Sequence, residues 1–133
     1  MGKDLLCDGF QDTVGQFLVR HRSIIDIMSK LQESVARTNR AVTKAVTNCG
    51  CVSINASRQS VPSDLSSFQE VREHMASHLE GEMCEQCAEV LESEIGATLF
   101  YLTALCNVVD MNLQDVLANE YKKISTLGFF NLS

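Results

Sequence analysis

Four cysteines in two close pairs, Cys49-Gly50-Cys51 and Cys84-Glu85-Gln86-Cys87, are the residues whose type and spacing best suit chemistry. Each pair supplies two thiolates from adjacent turns and a loop can bring the pairs together, which is what a tetrahedral metal site requires. Zinc fits four thiolates in that geometry. An iron–sulfur cluster uses the same ligands, and spacing alone does not separate the two. Without metal, the same thiols would act as a redox sensor or pair as disulfides, and cysteine is also among the most buried residue types. Cys7 and Cys106 read as small core side chains. Cys84 and Cys87 are expected in the first turn of a helix, where unpaired N–H groups and the helix dipole lower a thiol's pKa. A competing cation site is His74, His78 and Glu82, four apart on one helical face, with Gly81 weakening that helix.

The elements that must position these groups are read as helical. Apolar residues make up 45% of the 133-residue chain, aromatic residues 6%, tryptophan is absent and there is one proline. That composition suits one all-α domain better than a many-turned β protein. After an N-terminal arm (1–12), Val14, Phe17, His21, Ile24, Met28, Leu31, Val35, Asn39, Val42 and Val46 recur three or four apart, which predicts one long helix over 13–46. At 1.5 Å per residue it would be about 50 Å long, more than one small domain buries, so a bend or a partner subunit is implied. A cysteine-containing loop (47–63) follows, with Ser63 or Ser66 as caps for an acidic helical segment (64–109). Its stripe is Cys84, Cys87, Ala88, Leu91, Ile95, Leu99, Leu102 and Cys106. Asn112 reads as the N-cap of a C-terminal helix (112–125), and Gly128 as the stop before an apolar tail (126–133).

Charge narrows the partners. The net charge of −6 divides into eight Lys/Arg against five acids up to residue 62 and three against twelve beyond it. The halves should attract one another, within a monomer or across a dimer. Asp26 and Glu33 interrupt the basic half and no aromatic residue is interleaved, which disfavours nucleic acid. No apolar run is long enough to span a membrane, and Met1-Gly2-Lys3-Asp4-Leu5-Leu6-Cys7 is too short and acidic for a secretory signal. A cytoplasmic protein is expected. In a reducing compartment, metal binding, redox sensing or burial of the cysteines precedes structural disulfides.

Helical order brings out a resemblance. Leu91-Glu92-Ser93-Glu94-Ile95-Gly96-Ala97 running on to Leu105, then Asn107 to Leu117, resembles the second half of the MazG-like all-α nucleoside triphosphate pyrophosphohydrolases. Lys30-Leu31-Gln32-Glu33-Ser34-Val35-Ala36-Arg37 resembles their first acidic motif. The resemblance implies a helical bundle and Mg²⁺ held by four or five carboxylates, because a hard octahedral cation and a triphosphate need several oxygen ligands. On these positions the chain keeps Glu33 and Glu94. It has Ser34 and Arg37 for two glutamates and Ala97 for an aspartate. Arg37 adds a positive charge suited to a phosphate. Glu80, Cys87 and Glu94 are expected along one edge of the apolar stripe, where Glu94 must be paired, protonated or cation-bound.

These readings converge on an all-α bundle of MazG-like type, packed through helices as a homodimer or higher oligomer. The expected function is a four-cysteine metal-binding regulatory or binding protein, with room for a nucleotide held without efficient hydrolysis. One alternative is an active Mg²⁺-dependent pyrophosphohydrolase using Glu33, Glu80, Glu82 and Glu94. Another is a thiol redox sensor.

Overall fold

The stripe from Thr13 to Val46 is interrupted in the computed structural model, which describes residues 2–19, 22–64 and 67–127. Helix α1 (Gly2–Phe17) takes in most of the expected arm, and α2 (Ile24–Lys44) starts afresh after Ser23. Ser23 stands at the N-cap of the new helix. Its carbonyl accepts from Ile27 N–H at 2.9 Å and its hydroxyl from Ile25 N–H at 3.3 Å, with Asp26 in the first turn. Those contacts satisfy donors that a helix start leaves open. The restart changes the helical phase, so Ile27 is fully buried while Met28 and Phe17, both in the expected stripe, are 56% and 71% exposed. His21 and Ser66, and the expected tail from Gly128 onward, lie outside the described residues.

The expected loop and acidic segment also differ from expectation. Helix α2 runs into a π-turn (Ala45–Cys49), closed by Gly50 N–H donating to Ala45 O at 2.9 Å. Strand β1 (Val52–Ile54) then pairs antiparallel with β2 (Leu79–Gly81), in the register Val52 to Gly81, Ser53 to Glu80 and Ile54 to Leu79. Between them lies α3 (Phe68–His74), capped by Ser67, whose hydroxyl accepts from Glu70 N–H. His78 and Gly81 adopt φ of 63° and 89°, which a continuing right-handed helix does not allow. Helix therefore resumes only at α4 (Glu85–Val108). Asn112 caps α5 (Leu113–Leu127) as expected, accepting from Asp115 N–H at 2.9 Å.

Among the described residues the protein is thus mostly helical, with five α-helices and one two-stranded ladder. None of these helices is long and apolar enough to cross a membrane. The chain forms two compact units, Met1–Asn39 with Glu92–Ser133, and Arg40–Leu91. The first has an apolar core of Val14, Leu18, Ile27 and Ala104, against which Phe10, Phe100 and Leu105 pack. Gln11 joins three of its segments. Its amide donates to Asn107 Oδ1 at 2.9 Å and Met111 O at 2.8 Å, and its oxygen accepts from Leu113 N–H at 2.8 Å. The second unit is poor in core. Its buried hydrophobic residues, among those described, are Ala45 and Val52.

Candidate metal centre

The ladder explains why two cysteine pairs distant in sequence meet. Cys51 immediately precedes β1, and Cys84 follows β2 by a short link, so antiparallel pairing puts both pairs at the same end of the strands. Glycine makes two steps of this geometry possible. Gly50, between Cys49 and Cys51, turns the chain at φ 77°, in the left-handed region that costs other residues about 1–2 kcal/mol. At Gly81, φ 89°, a Cβ would stand 2.8 Å from Cys51 O, closer than carbon and oxygen can approach without displacement of the backbone. The far end of the loop is held too. Asn55 N–H donates to His78 O at 2.8 Å, while Gln59 and the Ala76 backbone exchange two hydrogen bonds of 2.7 and 3.2 Å.

The four sulfurs of Cys49, Cys51, Cys84 and Cys87 lie within 4.8 Å of one another, and the group can hold a metal ion. Cys49 Sγ and Cys84 Sγ are 3.8 Å apart, which is non-bonded, and all six cysteines are free. Around a zinc ion with bonds near 2.3 Å, tetrahedral sulfurs stand about 3.8 Å apart. Cys84 sits at the N-terminal end of α4, where its sulfur accepts from Cys87 N–H at 3.4 Å and its carbonyl from Ala88 N–H at 2.9 Å. The expected placement at a helix start is therefore realised.

That placement divides the thiols by proton affinity. Cys84 is drawn down from 9.0 to about 7, first by the Cys87 backbone N–H and then by the Cys87 thiol, both of which favour its thiolate. Cys87 is pushed up to about 12, chiefly because its thiol donates to Cys84 and secondly by burial. For Cys49 the Cys51 backbone N–H pulls downward, but contacts with the Cys84 and Cys51 thiols and burial leave it raised. The metal-free cluster thus has one favoured thiolate with thiol donors around it. A divalent cation would replace the shared protons with one central charge.

The other candidates do not assemble in this way. Among the described residues, no group of three or more His, Cys, Asp or Glu side chains other than the four cysteines converges on a possible ion. His74 ends α3, with Nδ1 2.9 Å from Glu70 O, and His78 lies in a turn of positive φ, so His74, His78 and Glu82 share no helical face. Glu80 is on β2, 3.3 Å from Asn55 Nδ2, and Glu82 follows that strand, so Glu80 does not line up with Cys87 and Glu94 on one helix. Glu33 is exposed and faces Lys30 at 3.4 Å.

Glu94 has a different partner. Its side chain, 16% exposed, accepts from Arg37 Nε at 2.7 Å, and this bond is the main reason that the arginine's pKa is raised. Beside the pair, buried Ser34 donates to Leu31 O at 2.7 Å and accepts from Thr98 Oγ1 at 3.1 Å, while Thr38 Oγ1 donates to Ser34 O at 2.9 Å. Positions that the resemblance would give to a carboxylate cage thus form a clasp of hydroxyl groups and one ion pair between α2 and α4. The sequence does not announce this clasp, because serine and threonine inside helices ordinarily bond to their own backbone. Only the periodicity that sets Ser34 and Thr38 on one face hints at it.

No protein-family model, curated protein or solved structure matches the chain.

Proposed function

We propose that this is a zinc-ordered binding or regulatory protein, in which Cys49, Cys51, Cys84 and Cys87 hold one structural Zn²⁺. The observation that carries the reading is the convergence of four sulfurs within 4.8 Å at one end of the β1–β2 ladder. Four protein ligands complete a tetrahedral zinc sphere and leave no position for water or substrate, which favours a structural over a catalytic role. The close spacing favours a single ion, because a cluster attaches its cysteines to separate iron atoms and holds them farther apart. The unit needs such a tie. With Ala45 and Val52 as its buried apolar residues, it has little hydrophobic area to offset the entropy of ordering its loop. Metal binding supplies folding free energy, on the order of 10 kcal/mol for small thiolate sites.

In this reading metal links three segments: the end of the π-turn, the β ladder and the N-terminus of α4. The segments Asn55–Asp64 and Ser67–His78 are then presented as an ordered surface, and loss of metal would release them. Nucleotide turnover lacks such support, because Glu94 is bonded to Arg37, Glu33 to Lys30, and, among the described residues, no carboxylates converge as a group of three or more. Titration of metal-free, reduced protein with Co²⁺ tests the proposal. One equivalent should give the intense near-ultraviolet charge-transfer bands of cobalt–thiolate bonds, and Zn²⁺ should displace it. Absence of those bands, or their persistence unchanged in Cys51→Ser, would contradict it.

A further inference from the structure

From Ile95 to Val109 the chain has no charged residue, and a helix without charge around its circumference is ordinarily buried. Most of α4 lies in this stretch, yet only Thr103 and Ala104 are fully buried within the chain. Ile95, Leu99 and Leu102 form an open stripe at intervals of four and three. On α2, Ile25, Met28 and Val35 form another, with Ser29, Gln32 and Ala36 beside them, again without charge. The six apolar side chains are 42% to 72% exposed. The two stripes border a groove of about 200 Å³ walled by Val35, Ile95 and Leu99. The Arg37–Glu94 and Ser34–Thr98 bonds hold its two helices antiparallel. Isolated exposed apolar residues are ordinary on a protein surface, whereas a continuous uncharged face on two adjacent helices marks an interface.

We infer that this α2–α4 face docks on the same face of a second copy of the chain, forming a two-fold symmetric four-helix packing. Charge complementarity selects that occupant. Helix α2 carries four Lys/Arg against two acids, and α4 carries four glutamates and no basic residue. When α2 of one copy lies against α4 of the other, the apolar stripes meet in the centre. Arg40, one step round α2 from Ile25, then lies on the side of Glu92, one step round α4 from Ile95. A two-fold axis repeats that match on both sides, as an isologous interface requires. The phase of the helices agrees. The buried residues of α2 are Ile27 and Ser34, and Met28 and Val35, each one position further on, are turned about 100° away from them.

Sedimentation equilibrium of the full chain, metal-loaded and at about 50 µM, tests the inference, since interfaces of this class hold at such concentrations. The expected mass is twice 14.7 kDa. Leu99→Glu should weaken the dimer at least about a hundredfold, as expected when a charge replaces an apolar side chain at the centre of an interface, while leaving helical circular dichroism and metal content unchanged. If Leu99→Glu misfolds, Ile25→Glu serves, because that side chain is 72% exposed and outside the core. A wild-type mass of 14.7 kDa, an assembly of another size, or a dimer indifferent to a folded face variant would overturn the inference. Metal content is read in the same samples, so failure of the dimer remains distinguishable from failure of the metal site.

Discussion

The cysteine cluster of Arg40–Leu91 and the hydroxyl clasp of the other unit both join segments far apart in sequence, but in different ways. The clasp lies beside a packed core. Ile27 on α2 and Ala104 on α4, the helices that carry the clasp, are fully buried, and Ser34, Thr38, Thr98, Arg37 and Glu94 match one another's donors and acceptors. Each such bond contributes about 1 kcal/mol net, enough to fix register when hydrophobic packing supplies the bulk of stability. The cysteine unit has little packing of that kind. Four weakly hydrogen-bonding thiols brought together at a strand end would do little for stability by themselves, and become strong only around a cation. With the proposed ion in place, the same task, holding distant segments in register, would fall to directional bonds where a core exists and to a metal where one does not.

Removing a metal ligand should separate the two units most sharply. Cys84→Ser is expected to abolish stoichiometric zinc binding and, by removing a contribution on the order of 10 kcal/mol, to open the ladder. Hydrogen exchange should then show protection lost over Ala45–Ile54 and Leu79–Cys87, with α1 and α5 still protected. Equal loss of protection in both units would break the comparison.

The thiols themselves provide the next test. With metal removed, the Cys84 pKa is depressed from 9.0 to about 7, so its reactive thiolate is present above about pH 7 and is lost as pH falls through that value. Iodoacetamide labelling followed by peptide mass spectrometry should find Cys84 modified before Cys87, whose pKa is about 12. Zinc should protect both. Indifference of Cys84 labelling to pH between about 6 and about 8, roughly one unit either side of that midpoint, would remove the electrostatic part of the account.

Smaller changes separate geometry from ligation. Gly81→Ala keeps every thiol but sets a Cβ 2.8 Å from Cys51 O at a positive φ, and should cost about 1–3 kcal/mol, read as a loss of zinc affinity of about fivefold or more in a chelator competition. In the clasp, Ser34→Ala removes a buried hydroxyl and should lower stability by about 1–2 kcal/mol in denaturant melts, without changing zinc affinity. Glu94→Gln should have the smallest effect, below about 1 kcal/mol and diminishing with salt, because its partner Arg37 is largely solvated. A loss of zinc affinity in either clasp variant would erase the distinction between the two regions.

What the sequence makes legible follows from how local the determinants are. The paired cysteines stand out because ligand spacing within each pair is local, and the Asn112 cap because it needs only its own turn. Ser23-Ile24-Ile25-Asp26 carries a comparable helix-start pattern, but the uninterrupted apolar period through it conceals the break. Val52-Ser53-Ile54 and Leu79-Glu80-Gly81 are too short for alternation to announce strands, and each needs the other to exist. The role of Gly81 was illegible for the same reason, since the atom that excludes a side chain belongs to Cys51, thirty positions earlier. Ile95, Leu99 and Leu102 do form a stripe as expected. The stripe does not face the core of its own chain, because burial direction depends on tertiary packing and not on period alone.

The most direct test of the metal reading is elemental analysis combined with X-ray absorption on protein purified without oxygen and without added metal. The account predicts one zinc per chain, surrounded by four sulfur atoms at about 2.3 Å. Metal-free protein that fails to take up zinc, or a sulfur–sulfur bond of about 2.05 Å between Cys49 and Cys84 in the purified chain, would contradict it.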